Sequence, residues 1–151
     1  MLPLLNQMVS GIFLILHPIV LFIFPEIKLI VMTMTPKDAV LQYHAAERLK
    51  LDIMMIAHQL TTVPTLKKED KPGAKFVLLE LLEVMAADMK GAAAVTGRAE
   101  FSKAAEGIDE VISLVSTNQF GIASDKCGEA MIPVTSVAAD AFSVLSAEGL
   151  L

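Results

Sequence analysis

The stretch Lys75–Gly97, KFVLLELLEVMAADMKGAAAVTG, constrains this chain more than any other. Between Phe76 and Met89 its only charged residues are Glu80, Glu83 and Asp88, so a helix built from it is apolar around most of its circumference. Such a helix cannot lie on a surface with one side packed and the other in water; it needs neighbours on at least two sides. The flanking segments carry amphipathic helical patterns that can supply them. The fold class predicted is therefore all-α, an antiparallel four-helix bundle running from about Thr35 to Gly149.

The other helices are read from periodicity and breakers. Thr35-Pro36-Lys37-Asp38 is a helix start, with Thr as cap, Pro in the first turn and an acid three residues after the cap. That helix is expected to end near Thr62, before Pro64, with Val40, Tyr43, Ala46, Ile53, Ile56 and Leu60 facing the core. Leu66–Gly73, LKKEDKPG, reads as a charged connection. In the second helix the small residues Gly91-Ala92-Ala93-Ala94 allow close approach of a neighbour, and Gly97 stops it. A third helix is expected from Arg98 to Asn118, with Phe101, Ala105, Ile108, Ile112 and Val115 inward. Gly121 is read as a turn and Ser124-Asp125 as the cap of the last helix, which Pro133 is expected to kink or split. Beyond Pro133 the inward stripe is Val134, Val137, Ala138, Ala141, Val144 and Leu145.

Hydrophobic residues make up 54% of the 151 residues, which is high for a soluble domain, and the excess lies at the start. Residues 1–31 hold one acid and one base, Glu26 and Lys28, and Ile12–Phe24 is interrupted only by His17 and Pro18. The chain thus divides into an apolar segment, 1–33, and a bundle domain, 34–151. About 20 apolar residues can cross a bilayer as a helix, so one reading of the segment is a membrane anchor through residues 1–31, with the bundle facing the cytoplasm. Other readings are a native start at Met32 or Met34, and short extended pieces packed on the bundle. A basic n-region and a small-x-small cleavage site are lacking, which disfavours a cleaved signal peptide.

The net charge of −5 argues against nucleic-acid binding, which needs clustered basic groups. A lone cysteine, Cys127, can make neither an internal disulfide nor a cysteine-based zinc site, and a free thiol suits a reducing compartment. Lys126 and a predicted helix start beside it favour a lowered pKa, but no His or Asp can be paired with it from sequence, and the leading reading is a structural or merely tolerated cysteine.

His44, Glu47, Leu51, Met54 and His58 form a second stripe on the first helix at heptad spacing. His44 and His58 are roughly 21 Å apart along the axis and cannot share a metal. An antiparallel hairpin brings His58 level with Glu80, so His58, Glu80 and Glu83, with Glu110 as a fourth member, are a candidate divalent-metal or proton-handling cluster. Ala57–Pro64, AHQLTTVP, resembles the phospho-acceptor box of sensor histidine kinases, with Gln59 in place of the acid and Val63 between Thr62 and Pro64. The resemblance implies phosphoryl acceptance at His58. The leading functional expectation is different: a non-catalytic module that self-associates as a homo-oligomer, or docks a protein partner, through its Ala-rich and Met-rich faces. Four short helices leave the second one incompletely covered, and a second copy would cover it.

Overall fold

The structure, a computed structural model, describes residues 34–151; the apolar segment 1–33, with the anchor and start-site readings, lies outside the described residues. Four α-helices follow one another: α1 Pro36–Thr62, α2 Lys71–Thr96, α3 Ala99–Ser116 and α4 Phe120–Ala147. No strand occurs among the described residues, and the helices pack as the all-α four-helix bundle that the patterning predicts.

Each boundary has a local cause. Pro64 cannot continue α1, and the hydroxyls of Thr61 and Thr62 donate to the His58 carbonyl in its last turn. A 3₁₀ turn, Val63–Thr65, follows. α2 starts at Lys71, earlier than the breakers suggest, because Pro72 falls in its first turn, where a missing N–H costs nothing. Gly97 closes α2 at φ 70°, and its N–H donates to the Ala93 carbonyl at 2.8 Å. α3 ends through Asn118 at φ 61°, a left-handed position that asparagine tolerates, and the Gln119 N–H bonds back to Leu114.

α4 departs most from expectation. It begins at Phe120, so Gly121 and Ser124-Asp125 lie inside the helix rather than ahead of it. Ala123 and Cys127 are fully buried and Phe120 packs on the core, so burial outweighs the local turn and cap preferences. Pro133 does not split the helix; the carbonyl it leaves without an N–H belongs to the exposed Glu129, where water can serve it.

Contacts across the bundle establish its alternating direction. At one end Arg98 reaches Gln42 near the start of α1 and Asp140 near the end of α4. At the other, Lys75 at the start of α2 donates to the Ser116 carbonyl and to Asn118 Oδ1 at the end of α3. Around the ring α1 packs on α4, α4 on α3, α3 on α2 and α2 on α1, and the α1–α2 contact is the least extensive. Gly107 sets the closest approach of α3 to α4, since a Cβ there would lie 3.3 Å from that of Ala130. The small residues of α2 do not play this role at Gly91, which meets nothing.

The core takes Leu49, Ile53 and Leu60 from α1, Leu78, Leu82 and Met89 from α2, Phe101 and Ile108 from α3, and Val134 and Val137 from α4. The stripe predicted for α4 is buried throughout, whereas that of α1 shifts at its start: Ala39 and Gln42 are buried and Val40 is exposed. Among the described residues one helix, α4, is long and apolar enough to cross a membrane. Its inward stripe is also a wall of the bundle core.

Candidate functional site

α2 carries the feature that matters for function. It has neighbours on two sides, α1 and α3, but within one chain it is incompletely covered: only Leu78, Leu82, Met85, Ala86 and Met89 are buried. Val77, Leu81 and Val84 remain bare, although they recur at i, i+4 and i+7 as a helix-packing seam does. They face the shallow α1–α2 contact and line a groove of about 800 Å³. Met55 and Ile56 form the α1 wall. At one end Arg48 pairs with Asp88 at 3.5 Å, and Asp52 and Gln59 add polar edges. The groove is an apolar trough with a sparse polar rim, a shape that suits an apolar helix or chain.

The histidine cluster is laid out differently. His58, Glu80 and Glu83 are all exposed. His58 lies two residues from buried Leu60, and Glu80 two residues from both Leu78 and Leu82. Two residues turn a helix by about 200°, so both side chains leave the helix opposite the core. Among the described residues no three His, Cys, Asp or Glu side chains lie close enough to hold a metal ion. The antiparallel register that makes His58 and Glu80 level along the axis does not make them face each other. Glu110 approaches Lys126 at 3.6 Å instead. His44 is likewise exposed.

Cys127 has the placement of a structural cysteine and not that of a lowered-pKa thiol. It sits two turns inside α4, fully buried, with Sγ 3.8 Å from the Ile53 carbonyl. Burial pushes the thiol up to about 11, the opposite direction from that expected at a helix start. Ellman's reagent at pH 8 is expected to modify it at least about a hundredfold more slowly in the native protein than in urea. Comparable rates would contradict its burial.

Among the described residues Arg98 organises a polar cluster drawn in from the surface, and sequence reasoning did not single it out. Its guanidinium is only 11% exposed. Nε and Nη2 donate to the two oxygens of Glu100 at 3.0 and 2.6 Å, Nη2 also donates to Asp140 at 2.6 Å, and Nη1 donates to Gln42 Oε1 at 3.2 Å. Hydrogen bonds from Arg98 hold the Glu100 carboxyl below the usual range against the opposing effect of partial burial. Burial alone would lower the Arg98 pKa, but the bonds to Glu100 and Asp140 outweigh it and the net shift is upward. Four of its five N–H donors are used within the bundle, so the cluster clamps three helices. A hint was present in the sequence: a lone arginine directly after a helix-stopping glycine.

No protein-family model, curated protein or solved structure matches the chain.

Proposed function

We propose that this chain is a non-catalytic helical-bundle module that works by association, with a second copy of itself or with a protein partner, through the face where α1 and α2 meet. The observation that carries this is the bare seam Val77, Leu81 and Val84 beside Met55 in a bundle whose other inward stripes are buried. Monomeric proteins rarely expose contiguous apolar patches beyond a few hundred Å², and larger ones mark interaction sites. The lone, buried, reduced thiol and the acidic charge suit the cytoplasm, and we place the bundle there.

Sedimentation equilibrium and light scattering on the purified chain test this, together with binding of an apolar dye. Mass is expected to rise above that of one chain as concentration increases. A monomer at every concentration that binds no dye would remove the basis of the reading. A monomer that binds dye would leave a heterologous protein partner as its occupant.

A further inference from the structure

We infer that the occupant of the α1–α2 groove is α2 of a second copy of this chain, in a two-fold dimer with Leu81 near the axis. The inference rests on the association reading and names its partner and geometry. In a two-fold contact one surface meets itself, so each α2 lies in the groove of the other copy. Then α1, α2 and their two counterparts form a second, intermolecular four-helix layer. The two α2 helices run antiparallel across the axis, Leu81 meets its counterpart, and Val77 and Val84 of one copy flank the centre opposite Val84 and Val77 of the other.

Two observations favour a second copy over another occupant. The first is area. Met55, Val77, Leu81 and Val84 are 61, 55, 47 and 60% exposed, and at on the order of 100 Å² each they offer roughly 400 Å² of apolar surface. A stable interface buries about 800 Å² per partner, of which somewhat over half, roughly 450 Å², is apolar. The face therefore matches the apolar content of one protein–protein interface and does not need a larger assembly. The second is charge. A chain with net charge −5 repels its own copy unless the touching surfaces are neutral. The α2 side of the groove is uncharged from Val77 to Val84, and Asp88 at its end already carries Arg48 as counter-ion at 3.5 Å, which leaves Asp52 on the α1 edge as the remaining charge among the lining residues. The dimer also covers the side of α2 that α1 and α3 leave bare.

Cysteine cross-linking on the full chain tests this. Helix axes at about 8–10 Å bring facing side chains on the axis within disulfide reach. Leu81→Cys is expected to form an intermolecular disulfide under mild oxidation, whereas Ile132→Cys, exposed on α4, is not; native Cys127 is buried and does not compete. Leu81→Glu alters both sides of the axis at once and is expected to weaken dimerisation about a thousandfold. Because Leu81 is half exposed in one chain, helix content should be unchanged. A dimer by mass whose Leu81→Cys variant does not cross-link and whose Leu81→Glu variant stays dimeric would overturn this geometry while leaving the association reading in place. A dye-binding monomer would overturn the dimer and leave only a heterologous partner.

Discussion

Replacing Arg98 with alanine is expected to lower the unfolding free energy of the bundle by about 2–4 kcal/mol, or roughly 10 °C in Tm. The guanidinium bonds to Glu100, Asp140 and Gln42, and its loss leaves Asp140, 23% exposed, and the buried Gln42 without that donor. The cost comes from the abandoned partners more than from the net worth of the bonds, since well-formed ion pairs away from water contribute little net stability. Arg98→Lys should recover only part of the loss, because an ammonium lacks the planar fork that engages Glu100 with two nitrogens. Urea unfolding of the three proteins measures this. A loss below about 0.5 kcal/mol, ordinary for a surface substitution, would show that the clamp is not structural.

The same cluster has a signature in acid. The folded pKa of Glu100 is depressed, so the stability it contributes is present in full above the ordinary glutamate value, about 4.3, and is lost as pH falls through the lower folded value. Arg98 is shifted upward and stays charged throughout that range. Wild type should therefore lose stability more steeply than Arg98→Ala below about pH 4.3. Equal slopes would place the acid-sensitive groups elsewhere.

Phe101→Ala is expected to cost about 3–5 kcal/mol. Phe101 is fully buried in the first turn of α3, one residue beyond Glu100, so its ring secures the same end of the helix that Arg98 secures by charge. Against a total stability of about 5–15 kcal/mol, a loss of this size leaves a measurable unfolded fraction at 37 °C. Phe101→Leu should retain most of the stability, because much of the volume is kept. Thermal unfolding by circular dichroism distinguishes the two. Because the sites adjoin, the Arg98→Ala/Phe101→Ala pair should depart from additivity by at least about 0.5 kcal/mol.

Periodicity carried much of the fold. The stripe after Pro133 and the inward faces of α3 follow from spacing alone, since a helix returns a residue to the same side every three to four positions. What spacing could not show was pairing between distant residues. Gln42, Arg98 and Asp140 are separated by 56 and 42 positions, and nothing local marks them as partners. α4 began earlier than expected because Gly121 and Ser124 were weighed as turn and cap residues, while the burial of Ala123 and Cys127 was out of sight. The candidate groove was half legible. An apolar helix in search of cover was plain from Phe76–Met89, but which side stayed uncovered depended on how far α1 and α2 stand apart. The His58, Glu80 and Glu83 candidate rests on level along the axis, which spacing suggests, and on azimuth, which spacing does not fix; all three side chains are exposed.

The ring α1–α4–α3–α2 is a strip of helices curled until its two edges touch, and the touching edges form its slightest contact. A closed tube resists insertion because admitting a new stave parts a well-made joint. Here only the loose joint need part, and α4, the arginine clamp and the interior on that side can stay as they are. The fold can thus admit an additional helix between its edges without being rebuilt.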